Sequence, residues 1–182
     1  MKLSNQGKDI LISDFDEVDA LRLALKLEAD GMRYYEELSK KTKDKDISDT
    51  FKRLVKEESK HAEKFKGWLE DAVTKEGLDI EADRGDEESF FDFINTGVFG
   101  DIWDVDETLS NIKTDKDALS LAEWAELNSI KFYKAMYDRT GNEPGKRILK
   151  DVIKEEQLHL KSFERYRELL EKTQRRHSDG NC

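Results

Sequence analysis

Apolar side chains return every three to four residues along four long stretches of this chain, the period of an α-helix with one face turned inward. The first runs from about Asp16 to Lys41, and its stripe is Leu21, Ala24, Glu28, Met32, Tyr35 and Leu38. The second, from about Asp46 to Thr74, carries Phe51, Leu54, Val55, Glu58, His61, Phe65, Trp68 and Ala72. A third, from about Asp115 to Arg139, shows Leu119, Ala122, Glu126, Ser129, Tyr133 and Met136. In the last, from about Pro144 to Thr173, the stripe is Ile148, Val152, Glu156, His159, Phe163, Tyr166 and Leu170. Asp or Ser precedes the first three, and Pro144 sits in the first turn of the fourth, as helix starts require. The pattern predicts an all-α bundle of two antiparallel helix hairpins.

Six polar residues break the apolar stripes. Glu28, Glu58 and His61 recur 98 positions later as Glu126, Glu156 and His159, so two copies of one Glu…Glu-x-x-His pattern point inward. Four carboxylates left unpaired in a core would cost several kcal/mol each, so something must compensate them. Glu36, Glu37, Glu57, Glu63, Glu155 and Glu164 lie off the stripes and read as solvated faces. The loops supply a check on level. Reflection through each turn pairs Glu28 with Glu58 about Lys43, inside a polar stretch, and Glu126 with Glu156 about Gly141. Each hairpin therefore brings its own set to one height.

About 40 residues, from about 75 to 114, separate the hairpins, far more than a helix–helix turn needs. A crossover along ~26-residue helices must cover about 40 Å at 1.5 Å per residue, which this length allows. It starts acidic and turns apolar between Phe90 and Trp103. Packing within the chain, a dimer interface, and a lid or partner site are the three readings of that run. Residues 1–175 are expected to form one domain. The tail, 176–182, reads as disordered, with His177 and Cys182 inert.

Composition narrows the class. Charged residues make up 41% of the 182 and only one proline occurs, which suits long solvent-laced helices. A net charge of −10 argues against a nucleic-acid binder. No apolar run reaches the ~18 residues of a membrane span, and the first residues lack the apolar core of a signal peptide. The single cysteine, Cys182, permits neither an internal disulfide nor a Cys-x-x-Cys metal site. A cytoplasmic protein is expected.

Residues three apart on a helix lie one turn and 60° apart, so Glu58 with His61, and Glu156 with His159, can reach one metal volume. Glu28 and Glu126, entering from the facing helices, would bridge two ions. Mixed carboxylate and imidazole ligation favours iron or manganese, with zinc able to use the same atoms. Four carboxylates and two neutral imidazoles balance two divalent cations.

These segments, Glu28-Ala-Asp-Gly-Met-Arg-Tyr-Tyr35, Glu57-Glu-Ser-Lys-His61, Glu126-Leu-Asn-Ser-Ile-Lys-Phe-Tyr133 and Glu155-Glu-Gln-Leu-His159, resemble the ferritin-like di-iron carboxylate proteins, the rubrerythrin branch in particular. The resemblance implies a ferritin-like four-helix bundle with a long crossover and two iron ions. It makes Glu28 and Glu126 the bridging carboxylates, and Glu58, His61, Glu156 and His159 the terminal ligands. Tyr35 and Tyr133 would hydrogen-bond the ligands, the other reading being core aromatics. The implied activity is an oxidoreductase that acts on peroxide or dioxygen, in defence against oxidative stress, or that oxidises ferrous iron. Many relatives carry a rubredoxin domain. Without its cysteines, electrons are expected from a separate protein such as rubredoxin, and a homodimer is expected. Peroxide-reducing relatives also carry an extra third-helix glutamate, at a place that corresponds to Asn128. Glu123, one turn before Glu126, reads as a surface residue, with an approach to the site as the alternative. The competing functions are ferritin-like iron storage and a metal-stabilised interaction module without turnover.

Overall fold

The computed structural model describes residues 2–6, 9–13, 16–76 and 109–179. Four long helices dominate: α1 (Glu17–Lys41), α2 (Lys45–Glu76), α3 (Asp115–Arg139) and α4 (Glu143–Asp179). Helices α1 and α2 pack as one hairpin and α3 and α4 as another, with α1 against α3 and α2 against α4. The chain is thus an all-α four-helix bundle, as the periodicity predicts. No helix among the described residues is long and apolar enough to cross a membrane. An N-terminal β-hairpin that the helical pattern gave no reason to expect precedes the bundle. Strands β1 (Lys2–Gln6) and β2 (Asp9–Ser13) pair antiparallel, Lys2 opposite Ser13 and Gln6 opposite Asp9, and β2 runs beside α3. Helix α4 also continues to Asp179, beyond the expected end at Thr173 and into the expected tail. The Phe90–Trp103 run lies outside the described residues.

Each helix start satisfies its backbone with a side chain. The Asp16 carboxylate accepts the Asp19 amide at 2.9 Å, and Asp44 accepts those of Asp46 and Ile47 at 2.9 and 3.1 Å. Thr114 and Asp117 form a reciprocal capping box, and Asn142 accepts the Gly145 amide at 2.9 Å. Thr42 and Thr140 close α1 and α3, each with its amide on the carbonyl one turn back.

The two turns are tied to the opposite hairpin by carboxylates 98 residues apart. Asp115, in the first turn of α3, accepts the Lys43 and Asp44 amides of the α1–α2 turn at 2.9 and 3.0 Å. Glu17, in the first turn of α1, accepts the Thr140 hydroxyl at 2.6 Å, in the α3–α4 turn. The repeat that governs the buried polar residues therefore extends to the ends of the bundle. Two apolar clusters fill the interior. One holds Leu21, Phe65, Trp68, Phe132 and Leu149, the other Leu38, Phe51, Leu54, Leu119 and Phe163. On every helix the inward polar residues fall between the two.

Candidate metal centre

All six inward polar residues of the repeat meet in the middle of the bundle, none more than 7% exposed. They converge as two overlapping groups, Glu28, Glu58, His61 and Glu156, and Glu58, Glu126, Glu156 and His159. Within each group one ligand atom per residue lies within 4.8 Å of all the others.

The two groups share Glu58 and Glu156. Glu58 sets Oε2 at 3.1 Å from His61 Nδ1 and Oε1 at 3.7 Å from His159 Nδ1. Glu156 sets Oε1 at 3.2 Å from His61 Nδ1 and Oε2 at 2.9 Å from His159 Nδ1. Glu28 belongs to the His61 half alone, at 3.6 Å, and Glu126 to the His159 half alone, at 3.3 Å. The geometry thus reverses the expected division of labour. The Glu-x-x-His carboxylates straddle both halves, while Glu28 and Glu126 each serve one. Spacing along single helices does not show this, because it follows from how close α2 and α4 pass at this level.

The donor set fits cations. Glu156 Oε2 and His159 Nδ1 are fully buried and make no hydrogen bond, although 2.9 Å separates them. Both residues belong to the His159 group, whose ligand atoms lie within 4.8 Å of one another. Four carboxylates and two imidazoles at one buried locus are the hard and intermediate donors that iron, manganese or zinc takes.

Two tyrosines close the cluster crosswise. Tyr35 of α1 donates to Glu126 Oε1 at 2.6 Å, and Tyr133 of α3 donates to Glu28 Oε1. Each phenol reaches the glutamate of the other hairpin and not the one seven residues before it. Burial, then the neighbouring carboxylates, pushes both phenols well above their ordinary range, so they remain donors. Tyr133 packs on Phe65 at 5.2 Å between ring centres, and Tyr35 on Phe163 at 6.2 Å, again positions 98 apart.

Two residues read as solvated are part of this assembly. Glu155 Oε2 lies 2.6 Å from His61 Nε2, and Glu57 Oε2 lies 2.8 Å from His159 Nε2. Their positions beside Glu156 and Glu58 turn them off the stripe, yet α2 and α4 are close enough for each to reach the facing imidazole. The signal in the sequence was the doubled Glu-Glu-x-x-His, whose first glutamate also recurs at 98. Glu36, Glu63 and Glu164 are exposed, and Glu37 pairs with Lys40 at 2.7 Å on the surface.

Glu123 is not a surface residue. It is 9% exposed, and Arg167 donates to its Oε2 at 2.6 Å. Asn128, 200° around α3 from Glu126, gives its amide to the Trp124 carbonyl at 3.0 Å and is not a member of either group. His177 and Cys182 lie outside the described side chains. No curated protein and no solved structure matches the chain. The rubrerythrin family model matches residues 19–167, most of the bundle and every residue of the cluster, and the chain belongs to that family.

Proposed function

We propose that the cluster holds two iron ions and that the protein is an oxidoreductase reducing peroxide or dioxygen with electrons from a separate donor. The observation that carries this reading is the sharing of Glu58 and Glu156, each offering one oxygen to either half of the site. Glu58 and Glu156 would serve both halves, while Glu28 with His61 and Glu126 with His159 would each complete one. Iron held there would supply the electrons for reducing an O–O bond.

The chain's own part is orientation and exclusion of water. Tyr35 and Tyr133 hold Glu126 and Glu28 by hydrogen bonds, and the two apolar clusters seal the site above and below. A cytoplasmic homodimer fed by a small electron-transfer protein such as rubredoxin is the setting proposed for this activity. The test uses protein purified without oxygen and loaded with ferrous iron. Two irons per chain, oxidation by peroxide faster than that of free ferrous ion, and re-reduction over several turnovers are expected. Oxidation no faster than the free ion defeats the reading. A hollow shell with many irons per chain would point to storage instead.

A further inference from the structure

Glu57 and Glu155 are bound to the histidines on the side away from the cluster. Each is only partly buried, with side-chain exposures of 33% and 45%. A carboxylate only accepts hydrogen bonds, so His61 Nε2, hydrogen-bonded to Glu155 at 2.6 Å, carries the hydrogen, and the Glu57 carboxylate 2.8 Å from His159 Nε2 favours the same tautomer there. A neutral imidazole then has its lone pair on Nδ1, the atom that faces three inner carboxylates in each half. The outer contact also stops the ring from turning over. The arrangement is reciprocal: α4 supplies Glu155 to His61 of α2, and α2 supplies Glu57 to His159 of α4. Glu155 is itself steadied by Lys64, whose ammonium lies 3.2 and 3.3 Å from its two oxygens.

We propose that Glu57 and Glu155 are positioning residues for the metal centre, each fixing the tautomer and ring orientation of the other hairpin's histidine. The proposal rests on the cluster's being a metal site and adds two residues to its working parts. It explains why the doubled motif is Glu-Glu-x-x-His. The second glutamate faces inward beside its own histidine, and the first faces outward to hold the histidine across the bundle.

The test uses the full chain, stripped of metal and titrated with Co2+ as the probe, in the wild type and in E57A, E155A, E57Q and E155Q. Proton NMR of the Co2+-loaded protein reads the exchangeable Nε2 hydrogens as two strongly shifted signals. Wild type should bind two Co2+. Each alanine variant should lose about 10- to 100-fold in affinity, the usual cost of removing such a partner. E155A and E57A should speed solvent exchange of different signals, one each. Glutamine still offers an accepting oxygen, so E57Q and E155Q should recover most of the affinity. Alanine variants with wild-type affinity and two unchanged signals would overturn the proposal, as would equal losses in glutamine and alanine variants. Failure of the wild type to bind Co2+ is a separate result, which removes the metal reading and this inference with it. Melting curves of the metal-free variants check that all fold.

Discussion

Without metal, the buried carboxylates and imidazoles limit their mutual repulsion by holding protons. Burial, reinforced by the charge of Glu156 and opposed by His159, pushes Glu126 up to about 8. Glu28 and Glu58 are raised by burial as well. Burial alone would lower His159, but the adjacent carboxylates of Glu126 and Glu156 outweigh it and lift the imidazole to about 11. Both shifts have the same sign for stability. From about pH 4.5 to 8 the folded state keeps a proton on Glu126 that the unfolded chain has lost, and from about 6.5 to 11 it keeps one on His159. The folded state binds more protons across both windows, so stability falls as pH rises, by up to about 1.4 kcal/mol per pH unit for each group. The fall is steepest between about pH 6.5 and 8, where the windows overlap. Melting of the metal-free protein should therefore move to lower temperature between pH 6 and 8.5. A flat or rising Tm would contradict the proton inventory. In the loaded protein the ligands are deprotonated by the metal, and the slope should largely vanish.

At the scale of the helix, two glycines make opposite predictions. A methyl group at Gly145 would sit 2.1 Å from Cζ2 of the buried Trp68. Gly145→Ala should cost about 1–3 kcal/mol by overpacking the start of α4 against α2. Gly31, inside α1, would bring a methyl no closer than 3.7 Å to Glu58 Cγ, an ordinary contact. Gly31→Ala should stabilise by about 0.5–1 kcal/mol through helix propensity. Chemical denaturation of the two variants reads both signs, and a stabilised Gly145→Ala would show the α2–α4 packing to be wrong. The helices were legible because each is amphipathic and capped by side chains next to it in sequence. The α3 bounds agree to the residue. The six inward polar residues were legible because they break stripes and repeat at one interval. What one helix cannot reveal is what lies across from it. Hence the sharing of Glu58 and Glu156, the crossed tyrosines, the reach of Glu57 and Glu155, and the pairing of Glu123 with Arg167 all needed the packed bundle. The β-hairpin escaped for another reason: two five-residue strands carry too short an alternation to stand out beside helices of 25 residues or more.

For the whole molecule, the weak direction is between hairpins. Within each hairpin the helices pack along their length, whereas α1–α3 and α2–α4 packing is sparser. Besides the two apolar clusters, to which all four helices contribute, polar ties join the hairpins at three levels: Asp115 on one turn, Glu17 on the other, and the buried cluster between them. The end ties are half-exposed hydrogen bonds worth about 1 kcal/mol each. The cluster is the one tie whose strength depends on what it binds, because every metal ligated by Glu58 and Glu156 is held by both hairpins at once. A metal that binds only the folded state adds RT ln(1 + [L]/Kd), about 2.7 kcal/mol at a hundredfold excess over Kd. For a chain of this size that corresponds to roughly 5–10 °C in Tm. Chelation under anaerobic conditions should therefore lower Tm by at least that amount and restore it on adding back ferrous iron. The loss should be smaller in E58A, which leaves Glu156 alone to span both halves, even though that variant starts from a different baseline. If chelation verified by metal analysis leaves the wild-type Tm unchanged, the hairpins are joined without metal and the cluster is not the centre of the fold's stability.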